Sequence, residues 1–369
     1  MKVALVHDHL IQDGGAEKVL QQLQCLFPEA PTFTLFYEPE RVDPAFKKKE
    51  IRTSFLQRLP FARKKYQWLL PLMPLATELY DLSAFDVVIS SSSAFSKGVI
   101  VKPSTIHLCY CHTPTRYLWS DTLSYVQELR LPRIFKKIIP IILSWLRIWD
   151  RHAADRVDVF IANSEAVRGR IKKYYRHDAI VIYPPVSIEP FAISNDQKTY
   201  YLAGGRLVSY KRIDLVIETC NRLRLPLKIF GSGPMETELK HKAGPTIEFV
   251  GRVSEKEKAK LYADCIAYIH PQEEDFGITA VEAMASGRPV IAYHRGGAIE
   301  TVIEGITGTF FNEQSWEALG DTLLRFDASH FDPQRIRTHV QQFSTEAFEQ
   351  KIKHVVERAW ERHAHECRI

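Results

Sequence analysis

The chain has 369 residues, of which 45% are hydrophobic and 25% are charged, and its formal net charge is +5. This length and composition predict a globular protein of two domains, each of somewhat under ~200 residues. No apolar run approaches the ~20 residues that a membrane-spanning helix needs, and the first residues lack the layout of a signal peptide, so we expect a cytoplasmic protein.

The charge is distributed unevenly along the chain. Residues 1–195 contain 26 Lys and Arg against 19 Asp and Glu, a net charge of +7, whereas the remainder contains 23 against 25, a net charge of −2. A basic half indicates an anionic surface or substrate as a partner. The six cysteines form no Cys-x-x-Cys pair, which predicts reduced thiols and no cysteine metal site.

Short apolar segments alternate with amphipathic ones along the chain, which is the pattern of parallel α/β sheets. In the first half the predicted strands cover residues 3–7, 33–36, 87–90, 106–111, 157–162 and 180–183. In the second half they cover residues 200–203, 227–230, 247–250, 267–270, 290–292 and 308–311. The fold class predicted from this pattern is α/β.

A proline-containing stretch that starts at Tyr183-Pro184-Pro185 separates the two series of strands and predicts an extended linker. We therefore predict a first domain over residues 1–185 and a second over residues 186–343, both doubly wound and Rossmann-like, facing a cleft. Residues 345–363 are predicted to form a long helix, so that segment 344–369 packs back toward the N-terminal domain.

A Gly-Gly turn follows the first predicted strand. Gly14 and Gly15 lie between His7-Asp8-His9 and a helix predicted from Lys18 to Leu26. Paired glycines let the backbone approach a phosphate or an acceptor closely, although such a turn alone is more often only a tight turn. The segment is not Gly-x-Gly-x-x-Gly, which argues against a nicotinamide cofactor.

Two stretches of the basic half mix basic residues with aromatic and aliphatic ones. Residues 44–75 contain eight Lys and Arg and one Glu, and residues 130–151 contain two tryptophans around a predicted kink at Pro140. Both stretches suit a helix lying in a bilayer interface, and equally a core helix whose exposed side is basic. Nucleic-acid binding is less favoured, because no recognised nucleic-acid module accompanies the charge.

His112 directly follows the predicted strand 106–111, and open α/β sheets bind their ligands at the carboxyl ends of strands. This position favours a functional role for His112 over that of a simple hydrogen-bond partner. Metal binding at His7-Asp8-His9 is not predicted, because no His-Glu-x-x-His or other motif supplies a third ligand.

Two cations, Arg206 and Lys211, follow the predicted strand 200–203. They are suited to neutralise a diphosphate, whose negative charge grows as a glycosyl bond breaks. Solvated basic residues at a helix start are the other interpretation. The turns that contain Gly231 and the Gly251-Arg252 pair follow later strands and are placed to border a nucleotide base.

Two glutamates, Glu274 and Glu282, flank the sequence Phe276-Gly277-Ile278, which leads into an apolar helix. The free N–H groups of such a helix start lie at the positive end of the helix dipole, where anions and sugar hydroxyls bind. Alone, two acidic residues at a helix start are more simply explained as complementing the dipole. Together with Arg206 and Lys211 they favour a sugar-nucleotide site.

Six motifs occur in order over nearly the whole chain: GGAEKVL, HTPTRYLW, YPPV, GGRLVSYKR, EEDFGITAVEAMASGRPVIA and GGAIETV. Their combination resembles the GT-B-fold retaining glycosyltransferases of family 4. More narrowly, the chain is similar to bacterial mannosyltransferases that assemble O-antigen and other surface polysaccharides.

The resemblance implies site roles residue by residue. The catalytic residues would be His112, Glu274, Arg206 and Lys211. The donor-binding residues would be Gly14, Gly15, Arg206, Lys211, Gly251, Arg252, Glu274, Phe276, Gly277, Ile278 and Glu282. Among these, Glu274 would bind hydroxyls of the transferred hexose, and Glu282 would accept the ribose hydroxyls.

The resemblance also implies the reaction: mannose from GDP-mannose would be transferred with retention to a lipid-diphosphate-linked saccharide, the departing diphosphate taking the acceptor proton. No metal or other cofactor is implied, and the absence of Asp-x-Asp from the sequence agrees. The expected partners are the nucleotide sugar, the lipid-linked acceptor and an anionic membrane surface, with the enzyme peripheral on the inner face of the cytoplasmic membrane. The alternatives are a UDP-hexose transferase, a nucleotide-sugar epimerase of the same fold, and a non-catalytic glycan- or membrane-binding protein.

Overall fold

A computed structural model describes residues 1–60, 66–123, 126, 133–194 and 199–366, with the backbone alone for residues 133–137 and 366. The chain divides into two compact units. The first comprises Met1–Tyr183 and Phe348–Ile369, and the second comprises Pro184–Ala347. The division thus follows Tyr183, two residues before the predicted boundary.

The first unit contains a seven-stranded parallel sheet with the strand order β3-β2-β1-β4-β5-β6-β7. Its strands are β1 Val3–Leu10, β2 Thr32–Tyr37, β3 Ile51–Thr53, β4 Val87–Ser92, β5 Ile106–Cys111, β6 Val159–Ala162 and β7 Ala179–Val181. Its helices before the linker are α1 Gly15–Leu26, α2 Met73–Glu78, α3 Arg116–Trp119, α4 Arg133–Ala154 and α5 Glu165–Tyr174. Every residue of β4 and β5 is buried, as expected for strands covered on both faces.

The second unit contains a six-stranded parallel sheet with the strand order β10-β9-β8-β11-β12-β13. Its strands are β8 Tyr200–Gly204, β9 Leu227–Phe230, β10 Ile247–Gly251, β11 Cys265–His270, β12 Val290–Tyr293 and β13 Gly308–Phe311. Its helices are α6 Ile213–Leu223, α7 Glu236–Lys242, α8 Glu255–Asp264, α9 Ile278–Ala285, α10 Ala298–Thr301, α11 Trp316–Arg325 and α12 Pro333–Val340.

Helix α13, Thr345–Glu366, ends the described chain. Its apolar residues Phe348, Ile352 and Val356 are spaced four apart, so that they share one helix face. All three are buried in the same hydrophobic core as Val19 and Leu23 of α1. The larger part of this C-terminal helix therefore belongs to the core of the first unit.

Each sheet has a point at which the strand order reverses: between β1 and β4 in the first unit, and between β8 and β11 in the second. In open α/β sheets the loops that leave neighbouring strands at such a point diverge, and ligands bind in the resulting crevice at the carboxyl ends of the strands. The segments that follow β1, β4, β8 and β11 therefore border the candidate ligand sites.

The twelve predicted strands are confirmed, with bounds that differ by at most three residues. The prediction of a helix for residues 44–75 is wrong. The described part of this stretch contains the edge strand β3, the short 3₁₀ helices Pro44–Lys48, Phe55–Arg58 and Tyr66–Leu72, and the first residues of α2. Pro60 and Pro71 contribute to the difference, because each removes a backbone donor that a continuous helix needs, whereas Pro44 and Pro74 stand in the first turn of a helix, where proline is tolerated.

The second basic stretch does form a helix, α4, which includes Pro140. Residues 130–132, with which the predicted stretch began, lie outside the described residues. None of the described helices is both long and apolar enough to cross a bilayer.

Candidate active site

The start of helix α9 depends on Gly277. This residue precedes the first helical residue, Ile278, and has a φ of 89°, in the left-handed region that side chains disfavour. A Cβ atom at this position would also lie 3.1 Å from Nε2 of His270. The glycine thus lets the chain turn directly from the loop after β11 into a helix whose first N–H groups lack helical partners.

Lys211 and Glu274 form an ion pair beside this helix start. Lys211 lies in the turn after β8 and Glu274 in the loop after β11, and these two strands are neighbours at the reversal point. The Lys211 ammonium donates to Oε1 of Glu274. The Glu274 side chain is 20% exposed and the Lys211 side chain 9%, so the carboxylate stays partly accessible.

Two further side chains lie beside the Glu274 carboxylate. Gln272 donates from Nε2 to Oε2 of Glu274 at 3.3 Å, and Nε2 of His270 lies 3.8 Å from the same oxygen. Burial raises the pKa of Glu274, but the Lys211 ammonium, His270 and the hydrogen bonds from Lys211 and Gln272 together lower it below its ordinary value. Burial lowers the pKa of His270 to about 4. At neutral pH the pair is therefore charged and the imidazole neutral.

A second glycine pair keeps the Glu274 loop in place. Gly296 and Gly297 precede helix α10, and the N–H of Gly297 donates to the carbonyl oxygen of Glu274 at 2.7 Å. A Cβ atom on Gly296 would overlap that same carbonyl oxygen, and one on Gly297 would lie 2.5 Å from the carbonyl oxygen of Asp275. This close approach of two backbones explains why glycines stand there.

Glu282 lies about one turn inside α9 and has different partners from Glu274. Its Oε1 accepts from the Lys258 ammonium at 2.9 Å and its Oε2 from the Tyr262 hydroxyl at 3.3 Å. Burial lowers the pKa of Lys258, but Glu282 and Glu255 reverse this and the net pKa is raised. Two hydrogen bonds thus fix the Glu282 carboxylate in place, and its predicted contact with ribose hydroxyls stays a prediction.

Arg206 and Arg252 both lie at the carboxyl ends of strands in the second sheet. Arg206 follows β8 and is exposed, and within the described residues its guanidinium forms no ion pair. Arg252 follows Gly251, the last residue of β10, and donates from Nε to the Ser232 hydroxyl at 2.7 Å. The predicted donor-binding residues of the second unit therefore lie on segments that leave β8, β10 and β11 at their carboxyl ends.

In the first unit, the Gly-Gly turn leads straight into a helix. Gly14 is the residue before α1, and the exposed Gly15 begins the helix three residues earlier than predicted. A Cβ atom on Gly14 would lie 3.1 Å from Oε2 of Glu17. Glu17 is buried, and its Oε1 lies 3.7 Å from Nε2 of His7.

His112 joins a chain of hydrogen bonds with His7. The Ser91 hydroxyl lies 2.8 Å from Nε2 of His112 and 3.0 Å from Nδ1 of His7. Burial lowers the pKa of His112 to about 3, and His7 contributes to the lowering. His112 is therefore neutral at physiological pH, with one ring nitrogen that donates a hydrogen bond and one that accepts.

A cavity of about 390 Å³ lies at the reversal point of the first sheet. Imidazoles, carboxylates and aromatic rings line it, among them His7, Asp8, Glu17, Tyr66, Phe95 and Tyr117. Polar groups that fix hydroxyls, next to rings that cover apolar sugar faces, make a wall suited to a saccharide. The cavity wall does not include His112, Gly14 or Gly15.

Sequence reasoning missed several residues of these sites. Lys258, Tyr262, His270 and Gln272 hold the two glutamates, and Glu17 faces the cavity of the first unit. Lys258 and Tyr262 are four apart on one helix and so share a face, but nothing in the sequence shows that this face meets Glu282. For Glu17, its place in the first turn of a helix after two glycines was the available signal.

Both units are doubly wound parallel domains, and the second has an ion pair and an αL glycine at its reversal point. Residues 13–190 match the family model described as Glycosyltransferase Family 4, and residues 192–343 match the model described as Glycosyl transferases group 1. The chain therefore belongs to the GT-B-fold glycosyltransferases, with the family's two domains in this order.

The curated relatives include mannosyltransferases. The alpha-1,3/1,6-mannosyltransferase ALG2 of Dictyostelium discoideum is 24% identical over 284 residues, 63% of this chain and 64% of that protein. The O-antigen chain mannosyltransferase C of Escherichia coli is 26% identical over 178 residues, 43% of this chain and 45% of that protein. The alignments thus span about half to two thirds of the length of these relatives.

A solved structure has the same fold. The crystal structure of Anabaena HepE in complex with UDP matches with a TM-score of 0.70 at 16% identity, over 97% of this chain and all of that chain.

Proposed function

We propose that the protein is a retaining mannosyltransferase that transfers mannose from GDP-mannose to a lipid-diphosphate-linked saccharide in surface polysaccharide assembly. The observation that carries this proposal is the Lys211–Glu274 pair at the start of α9. It places a cation and a partly accessible carboxylate beside the N-terminal end of helix α9, which suits a diphosphate linked to a hexose. The choice of mannose is supported by the mannosyltransferase relatives.

In this proposal the second unit binds the donor. Arg206 and Lys211 neutralise the diphosphate as the glycosyl bond breaks, and Glu274 accepts hydrogen bonds from hydroxyls of the mannose. The amides of Phe276, Gly277 and Ile278 add donors, and Glu282 accepts from the ribose hydroxyls. Gly251 and Arg252 border the base.

The first unit would contribute Gly14, Gly15 and His112, as the family resemblance implies. In this proposal the neutral His112 orients a hydroxyl of the reacting sugar, while the departing diphosphate takes the acceptor proton. A front-face attack of this kind retains the anomeric configuration without a carboxylate nucleophile. The proposed chemistry requires no metal ion.

The donor is tested by a comparison of nucleotide sugars. Purified protein is incubated with GDP-mannose, UDP-glucose and UDP-N-acetylglucosamine, and release of the nucleoside diphosphate is followed. We expect GDP-mannose to be hydrolysed fastest, and the product formed with a mannose-terminated lipid diphosphate to be an α-mannoside by NMR. Faster turnover of a UDP-sugar would overturn the donor assignment, and a β-mannoside would overturn retention.

We further propose that the enzyme works as a peripheral protein on the inner face of the cytoplasmic membrane. Helix α4 supports this, because its solvent face is apolar: Ile138, Ile141, Trp145 and Ile148 are 49%, 70%, 50% and 60% exposed. Basic residues are frequent in this half of the chain, and an apolar helix face with basic neighbours suits an anionic bilayer interface.

Liposome binding tests this surface. The double variant Ile141→Ser/Ile148→Ser is expected to reduce binding to anionic liposomes ~100-fold or more, because the insertion of two exposed aliphatic side chains into the bilayer contributes about 3 kcal/mol. Neutralising Lys47, Lys48 and Lys49 should weaken binding and its salt dependence. Arg63, Lys64 and Lys65, which we also predict to contribute, lie outside the described residues.

The matched control is Leu324→Ser in the second unit, where the leucine is 73% exposed. This change should leave liposome binding unaltered. Binding that resists both salt and the α4 substitutions would show that α4 is not the membrane contact.

A further inference from the structure

Asp150, on helix α4, accepts hydrogen bonds from four side chains. Its Oδ1 accepts from the Lys97 ammonium at 2.5 Å and from the Thr115 hydroxyl at 2.9 Å. Its Oδ2 accepts from Nε1 of Trp119 and from the Tyr175 hydroxyl, both at 2.8 Å. Asp150 and Lys97 are each 1% exposed. A carboxylate so enclosed has no lone pair left for a substrate, so its role is structural or positional.

The donors come from separate segments of the first unit. Lys97 belongs to the loop after β4 and also donates to the carbonyl oxygen of Ala94. Thr115 and Trp119 belong to the segment after β5, and Tyr175 follows helix α5. One carboxylate thus ties the loops after two neighbouring strands to α4.

These two loops form much of the cavity wall. The loop after β4 contributes Ser93, Ala94 and Phe95, and the segment after β5 contributes Thr113, Arg116 and Tyr117. The wall residues of the segment after β5 lie within three residues of Thr115 or Trp119, which donate to Asp150. Those of the loop after β4 lie within three residues of Ala94, whose carbonyl oxygen accepts from Lys97.

A second buried carboxylate, Asp8, also holds the loop after β4. It accepts the backbone N–H groups of Ser93, Ala94, Phe95 and Ser96 at 2.6–2.8 Å. Asp8 therefore fixes the backbone of residues 93–96, and the ion pair with Asp150 fixes Lys97, the next residue. The loop after β5 has no such backbone anchor from Asp8, so its position depends more on Asp150.

We infer that Asp150 is a positioning residue that sets the shape of the cavity through Lys97, Thr115, Trp119 and Tyr175, and thereby the affinity for the saccharide acceptor. This inference rests on the proposed function in taking the cavity as the acceptor site. Asp150 touches neither substrate nor reacting atoms.

The test weakens the Asp150 contacts one at a time. Asp150→Asn leaves Lys97 without a counter-charge in a buried place and risks misfolding, so Tyr175→Phe and Thr115→Val are the primary variants. Each removes one donor and leaves three. Hydrogen–deuterium exchange of the free protein is followed for segments 92–98 and 113–119, and acceptor KM is measured with a mannose-terminated farnesyl diphosphate saccharide.

We expect exchange in both segments to rise about fivefold and acceptor KM to rise by a similar factor, as loss of one buried hydrogen bond implies. The kcat at saturating acceptor and the rate of donor hydrolysis should stay within about twofold of wild type, since the donor-binding residues are untouched.

Tyr110→Phe is the matched control. Tyr110 is fully buried in the same unit, and its hydroxyl donates to the carbonyl oxygen of Ile182 at 2.9 Å, away from the cavity. It should lower the Tm without changing loop exchange or acceptor KM. Equal effects of Tyr175→Phe and Tyr110→Phe on exchange, or an unchanged acceptor KM despite faster loop exchange, would overturn the inference.

Failure of the proposed function gives a different result. A wild-type protein that transfers to no lipid-linked saccharide contradicts the proposed acceptor class. The exchange experiment then still decides whether Asp150 positions the two loops, because it needs no turnover.

Discussion

Replacing Lys211 by alanine is expected to reduce mannosyl transfer at least ~100-fold, the usual cost of losing one group that stabilises developing charge. The physical reason is twofold. The departing diphosphate loses a cation, and Glu274 loses the partner that keeps its carboxylate charged and oriented. The measurement is kcat/KM for the donor, together with the Tm to show that the fold remains.

A double-variant cycle sharpens this prediction. Glu274→Gln should cost a similar factor, and the combined variant should lose much less than the product of the two, because the side chains contact each other and act as a unit. Strict additivity would show that the two residues work independently.

The control is Lys240→Ala. Lys240 forms an exposed ion pair with Glu236 in the same unit, at 2.8 Å. Exposed pairs contribute little, so both activity and Tm should be nearly unchanged. Full activity of Lys211→Ala would contradict the proposed donor site.

The second large effect is loss of stability in mild acid. Burial lowers the pKa of His107 to about 4, of His112 to about 3 and of His270 to about 4. The unfolded chain, with histidine pKa values near ~6.5, then binds more protons than the folded chain below that pH. The stabilisation from these neutral histidines is present above pH ~6.5 and is lost as the pH falls toward about 4.

At pH 5 each of these histidines is expected to lower the free energy of unfolding by about 2 kcal/mol relative to neutral pH. Urea unfolding at pH 7.5 and pH 5 measures the loss in each unit. His107→Gln should remove about one histidine's share of the pH dependence in the first unit. His354→Gln, exposed on α13, is the control and should leave the profile unchanged. A flat profile in the wild type would contradict the burial argument.

The start of α9 illustrates what local sequence predicts. Gly277 before an apolar, alanine-rich segment indicates a helix that begins abruptly, because only glycine adopts the left-handed conformation there without strain. The strands were also readable, since strands buried on both faces need continuous apolar runs. Both features depend on neighbours along the chain.

Residues 44–75 illustrate the limit of composition. Basic and aromatic residues alternate there as in an interfacial helix, yet the described residues form 3₁₀ turns, a short edge strand and the start of α2. The composition of the segment indicated its residue types but did not predict its backbone conformation. The sequence likewise did not predict which apolar face of α4 is exposed, because this depends on which face packs into the core.

The sequence by itself thus determined the two α/β domains, the glycine-led helix starts and the residue types at the strand ends. Only the tertiary structure decided the pairings: Lys211 with Glu274, Lys258 with Glu282, and Asp150 with its four donors. The reason is that conformational preferences of the backbone act over a few neighbouring residues. The charged partners are far apart in the chain, and the order of the strands in each sheet brings them together.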